Sequence, residues 1–138
     1  MPIQFNFPVT HSYASSSDGM GVPVILRHGT RTALLTAFVD TGATFCMFSR
    51  GLGDALGLDV EAGVREEFRT AAGHFTAYGH ELTISTLGLE TNSTVYFFAD
   101  EAIRKNVLGR RGWLDRVRLA VVDYEQVLYL APYDSPSQ

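Results

Sequence analysis

The sequence predicts a mainly β domain with one or two short helices. Three observations point there. Short runs that are apolar, or rich in Thr, Val, Tyr and Phe, recur along the 138 residues and are separated by turn-forming residues. Two pairs of these runs flank a four-residue turn and read as hairpins. Helix-bounding residues frame one short segment, Ser49 to Leu56. A chain of this length is one domain, large enough to bury its own core.

Taken in order, residues 3–7 alternate and read as a terminal strand, and Ser15-Ser16-Ser17-Asp18-Gly19 reads as a flexible turn. Residues 1–21 therefore form an N-terminal strand and loop ahead of a main domain over 22–133. Val22 to Arg27 and Thr32 to Val39 form a hairpin around His28-Gly29-Thr30-Arg31. Within it, Leu34 to Val39 is apolar on both strand faces apart from Thr36, which fits a buried strand. Ser49 to Leu56 is a short helix with Ser49 as N-cap and Gly57 as its stop. Phe68 to Thr86 holds strands joined at a small-residue tip, and Glu90 to Ala99 is a strand. Arg118 to Val122 and Val127 to Ala131 form a last hairpin around Asp123-Tyr124-Glu125-Gln126. Residues 134–138 read as a disordered tail.

The apolar run at 34–39 ends in Asp40-Thr41-Gly42-Ala43. A carboxylate at the end of a buried strand is costly unless donors surround it. Thr41 brings a hydroxyl, and Gly42 lets other groups approach the backbone closely. The turn can therefore hold a carboxylate at the floor of a cleft. It occurs once, in a chain too short for a second copy of the same lobe. Chemistry that needs two carboxylates would need two chains. Two such groups face to face share one proton and titrate as a unit. One can deprotonate a water between them while the other protonates the carbonyl under attack.

Three further segments follow in order: Arg50-Gly51-Leu52-Gly53-Asp54-Ala55-Leu56-Gly57-Leu58, then Phe68 to Tyr78, then Asn106-Val107-Leu108-Gly109-Arg110-Arg111-Gly112-Trp113-Leu114-Asp115-Arg116. With Asp40-Thr41-Gly42-Ala43, the chain resembles the retropepsin-like aspartic proteases, in their bacterial single-lobe form, over roughly residues 22 to 131. The resemblance implies a closed, mostly β barrel lobe that dimerises, each chain giving one catalytic Asp. It implies an aspartic endopeptidase acting on polypeptides, with no cofactor and no metal. Asp40 would be the catalytic carboxylate, Thr41 a brace across the two-fold axis, and Gly42 a source of backbone groups near the substrate. Ala43 would line the substrate cleft, and Ala71, Ala72, Gly73 and His74 would form a flap tip closing over it. Val107-Leu108-Gly109 would pass beside the catalytic loop and hold it, followed by a short helix around Arg110 to Arg116. The chain departs from retroviral members at Thr44, where an acidic residue would pair with Arg110. Its flap tip is also poorer in glycine.

The formal net charge of −4 gives no support to a nucleic-acid or membrane-surface role. The local cluster Arg104, Lys105, Arg110, Arg111, Arg116 and Arg118 reads as a solvated face or loop brace. A single cysteine, Cys46, excludes an intrachain disulfide and reads as a small apolar group rather than a nucleophile. His11, His28, His74 and His80 show no metal-ligand spacing. No leader-like or membrane-length apolar stretch is evident, so the sequence points to a cytoplasmic protein. Two rival readings remain at this stage: a non-catalytic dimerisation or peptide-binding domain that keeps the fold, and a hydrolase whose Asp40 works with a metal.

Overall fold

The computed structural model describes residues 1–15 and 19–135. Its strands are β1 (Val9–Ser12), β2 (Met20–His28), β3 (Arg31–Val39), β4 (Met47–Phe48), β5 (Val64–Thr70), β6 (Gly73–Thr86), β7 (Leu89–Phe98), β8 (Val107–Leu108), β9 (Val117–Val122) and β10 (Val127–Pro132). One helix, α1 (Arg50–Ala55), follows β4, and short 3-10 turns occupy Val60–Ala62, Leu114–Arg116 and Asp123–Glu125. The mainly β class is as expected. No helix among the described residues is long and apolar enough to cross a membrane.

Seven strands form a sheet in the order β2-β3-β8-β4-β7-β6-β5. β2 also pairs with β6, from Ile25 opposite Ser85 to Arg27 opposite Thr83, so six of the strands return on themselves as a ring. β5 lies outside the ring and pairs with β6. The second sheet, β1-β10-β9, is antiparallel throughout.

Strand patterning explains the interior. Val22, Val24 and Leu26 of β2 are buried, while the alternating Pro23, Ile25 and Arg27 face outward. They meet Ala37, Phe48, Ile84, Phe97, Leu108, Trp113, Leu128 and Leu130 in the main core. Trp113 packs there at 1% exposure, so its indole is structural. A second, smaller core of Met47, Ala77, Tyr96 and Phe98 gathers Phe45, Phe68, Phe75, Ile103 and Val107 around it.

Several expectations shift. The run Leu34–Val39 is buried on one face: Ala37 and Val39 point inward, while Leu34 is 77% exposed. A barrel wall has one inner face, so apolar residues on both sides of a strand do not imply burial of both. The terminal strand lies at Val9–Ser12 instead of 3–7, because that segment matches the open edge of β10 over four residue pairs. Phe5 and Phe7 instead pack on side chains of the second sheet: the Arg118 guanidinium sits 4.6 Å from the Phe5 ring centre, and Phe7 lies 6.1 Å from Tyr129. In the expected turn at 15–19, Ser16, Ser17 and Asp18 fall outside the described residues, as do 136–138 of the expected tail. The segment expected as a short helix at 110–116 is helical only as the 3-10 turn Leu114–Arg116.

α1 begins after Ser49 as expected, but the Ser49 hydroxyl does not cap it. Asn106 Oδ1 takes both the Ser49 N–H (3.0 Å) and its hydroxyl (3.3 Å), tying the helix start to the approach of β8. Between β6 and β7 the turn is Leu87-Gly88, both at positive φ (52° and 85°), as a two-residue hairpin requires. A leucine there is strained, and packing of its side chain against the core compensates.

β8 is only two residues long, yet two strands of the ring, β3 and β4, meet on it. Val107 and Leu108 run parallel to Phe38 and Val39, and Val107 lies antiparallel to Met47. Gly109 follows, and a Cβ there would lie 2.2 Å from the Phe45 carbonyl oxygen and 2.9 Å from that of Ala43. Both are backbone atoms that cannot swing away. Gly109→Ala should therefore destabilise the fold by about 3 kcal/mol in urea unfolding, the upper part of the usual overpacking range. Gly51→Ala, where nothing lies within 4 Å, should be neutral or slightly stabilising. Equal effects at both positions would contradict this packing.

Candidate active site

β3 delivers Asp40 to the surface. Val39 is buried and Asp40 is exposed, so the strand leaves the core at that residue. The turn is closed on itself: Gly42 N–H donates to Asp40 Oδ1 at 2.9 Å, and Ala43 N–H to the Asp40 carbonyl at 3.2 Å. It is also held from outside. Phe38 N–H donates to the Asn106 carbonyl (2.9 Å) and Asp40 N–H to the Leu108 carbonyl (3.0 Å). Arg110 N–H donates to the Ala43 carbonyl and Arg111 N–H to that of Thr44, each at 2.8 Å. The segment Val107-Leu108-Gly109 thus passes beside the Asp40 turn and grips both its ends. Thr41 and Gly42 are exposed and Ala43 is half-buried. Among the described residues the Thr41 hydroxyl and Asp40 Oδ2 make no hydrogen bond, which leaves them free for groups from outside the chain.

The four residues of the turn lie together, whereas Ala71, Ala72, Gly73 and His74 form the separate, exposed tip of the β5–β6 hairpin. Thr70 Oγ1 braces that tip by accepting from Ala72 N–H (3.3 Å) and donating to the Gly73 carbonyl (3.1 Å). Tip and turn are connected through aromatic rings. Phe68 and Phe75, paired across the hairpin, stack at 5.3 Å. Phe68 lies 5.8 Å from Phe45 and 5.5 Å from Tyr96, and Phe45 lies 4.9 Å from Tyr96. Phe45 follows Ala43 by two residues, so the base of the hairpin rests on the exit of the Asp40 turn. The sequence reading missed this link. Its signal was present: Phe68 and Phe75 stand at equal distances from the Ala71-Ala72 tip, which makes them cross-strand partners.

Arg110 and Arg111 are exposed, and no carboxylate among the described residues pairs with either; Thr44 beside them is exposed too. His80 Nε2 lies 2.8 Å from the Val60 carbonyl with its ring on Phe97, and His11 Nε2 lies 3.0 Å from the Gly21 carbonyl, so both are tied to backbone. Among the described residues no group of three His, Cys, Asp or Glu side chains is placed to share a metal ion. Tyr13, also unremarked in the sequence, hydrogen-bonds Asp123, which pushes its hydroxyl up to about 12 and clasps the start of the chain to the β9–β10 turn.

Cys46 is fully buried behind the turn. Burial pushes its thiol up to about 11, partly offset by the Gly109 N–H that points at Sγ from 3.4 Å. The reactive thiolate is therefore scarce at neutral pH and out of reach, which fits a packing role. A maleimide should label Cys46 only in denaturant; labelling of the native protein within minutes at neutral pH would contradict this burial.

Residues 22–111 match the model of the aspartyl protease family. Among solved structures, a retropepsin-like aspartic protease from Rickettsia conorii superposes with a TM-score of 0.64 at 16% identity, over 89% of this chain and 97% of that one. The EIAV protease, complexed with the inhibitor HBY-793, superposes with a TM-score of 0.54 at 16% identity, over 70% of this chain and 86% of that one. No curated protein sequence matches. The structural likenesses establish the fold, and the family match spans well over half of the sequence. The chain belongs to the aspartyl protease family and has the single-lobe, retropepsin-like fold.

Proposed function

We propose that this protein is an aspartic endopeptidase of the retropepsin type, active as a homodimer in which each chain gives one Asp40. One observation carries the reading: a carboxylate exposed at the surface of the single chain, on a turn that backbone hydrogen bonds hold from both sides. A lone exposed carboxylate in water is a poor general base for amide hydrolysis. A second copy across a two-fold axis would bury it against its equivalent, and the pair would share one proton. The ionised partner takes a proton from a water held between them. The protonated one donates to the carbonyl oxygen as the tetrahedral intermediate forms. The free Thr41 hydroxyl suits a brace between the two turns, and the Gly42 backbone suits contact with an extended peptide.

The hairpin tip at Ala71 to His74 would close over that peptide, excluding water and adding main-chain hydrogen bonds. Its aromatic base ties any movement of the hairpin to the exit of the Asp40 turn.

Asp40→Asn tests the reading. It should abolish cleavage of an unfolded protein substrate while leaving the thermal midpoint near that of the wild type, because the change is nearly isosteric at an exposed site. Turnover above a small fraction of wild type would remove Asp40 from the mechanism. A wild type that binds peptides without cleaving them would favour a peptide-binding domain.

Gly73→Val tests the flap. Gly73 sits at φ +131° with open space around it, so a side chain fits but the backbone must change. The expected result is little change in thermal midpoint and a fall in kcat/KM of roughly tenfold or more, about 1.4 kcal/mol in the transition state. Unchanged turnover would mean that this hairpin does not close over the substrate.

A further inference from the structure

We propose that the cleft selects peptides carrying acidic side chains beside the bond to be cut, read by Arg110 and Arg111 at the Asp40 turn. This rests on the assignment of the turn and the hairpin to one substrate cleft.

Charge is distributed unevenly along the chain. Three stretches surround the proposed cleft: 41–53 after Asp40, 68–80 through the hairpin tip, and 102–114 through β8 and its brace. None contains an Asp or Glu, while they contain Arg50, Arg69, Arg104, Lys105, Arg110 and Arg111. Their formal charge is +6, in a chain whose net charge is −4; Arg50 among them is paired with Glu61, and Asp54, Glu67, Glu81, Glu101 and Asp115 stand just outside the stretches. The carboxylates other than Asp40 therefore lie in the rest of the chain, and those that form ion pairs engage Arg27, Arg50, Arg65 and Arg116. Arg69, Arg110 and Arg111 are exposed and have no carboxylate partner among the described residues.

The placement of Arg110 and Arg111 is defined by the backbone. The N–H groups of Arg110 and Arg111 are bonded to the carbonyls of Ala43 and Thr44, so both side chains start from the wall of the Asp40 turn. Arg69, near the hairpin tip opposite His74, faces the other way, since its neighbour Phe68 packs on Phe45 and side chains alternate along a strand. Two basic side chains thus stand beside the Asp40 turn. In water an unpaired guanidinium needs no partner. Once flap and second copy exclude water, a carboxylate on the bound peptide would accept a charge-assisted, two-pronged hydrogen bond there, and a neutral amide would be the weaker ligand.

The test uses matched, labelled peptides with a common central sequence and either Glu or Gln at the flanking positions. Their binding is measured on the full-length Asp40→Asn chain, and their kcat/KM on the wild type. The expected Glu-over-Gln preference is roughly fivefold at low ionic strength, shrinking as salt screens it. In either background Arg110→Gln with Arg111→Gln should bring the ratio close to one, while Arg110→Lys should keep part of it. A ratio of one in the parent proteins would overturn the proposal. So would a preference that survives the double substitution, or a double variant that loses the preference only because it sediments as a monomer, since the arginines would then serve the dimer contact. If the wild type cut none of the peptides while Asp40→Asn still preferred Glu, the charge selection would stand and the peptidase assignment would fall.

Discussion

The close passage of β8 and Gly109 beside the Asp40 turn is the contact on which the rest of this structure depends. A strand of two residues would be negligible by itself, but it lies where β3 and β4 converge. Four backbone hydrogen bonds join residues 106–111 to residues 38–44, and the Gly109 N–H adds a contact to the Cys46 sulfur. The approach is so tight that only a residue without Cβ fits. Because the grip is made by main chain, the side chains beside it are released from structural duty. Thr44, Arg110 and Arg111 can face solvent without loosening the turn.

The same contact sets the Asp40 turn, held within the ring, apart from the hairpin that projects from it. Asp40 stands on a turn fixed by the ring of strands and backed by a fully buried thiol. The β5–β6 hairpin extends from the ring, since β5 pairs with β6 alone, and its base is seated on Phe45 and Tyr96. Aromatic contacts of this kind contribute of order 1 kcal/mol each beyond burial, enough to bias a hairpin and too little to lock it. The lid proposed here, opening for a peptide and closing for chemistry, would need that intermediate strength.

Local features of the fold were legible in the sequence. The β2–β3 hairpin is readable from its turn residues, α1 from Ser49 and Gly57, and the Asp40 turn from its carboxylate, hydroxyl and glycine. The less legible features are those set by distant partners. The pairing of β2 with β6, which closes the ring, joins residues far apart in the chain and leaves no local pattern. The exposure of Leu34 depends on which face of β3 the ring encloses, and an apolar run does not say which. Alternation at 3–7 marks a strand but not its partner, and the β10 edge pairs with Val9–Ser12 instead. At the site, the brace by residues 107–109 became readable through resemblance, since Val-Leu-Gly alone has no distinctive chemistry. The ring contact of Phe45 with Phe68 could be suspected from the symmetric phenylalanines of the hairpin, though their third partner could not.

The central claim is that one functional site takes an Asp40 from each of two chains. Subunit mixing measures this most directly. Wild-type protein is held constant, an equal amount of Asp40→Asn is added, and the two are allowed to exchange before peptide cleavage is followed. If each site needs both carboxylates, random re-association should lower total activity to about half, and excess variant should extinguish it progressively, as mass action requires. Activity that stays at the wild-type value through a large excess of the variant, with mixed dimers demonstrated by mass, would mean that a single chain holds a complete site.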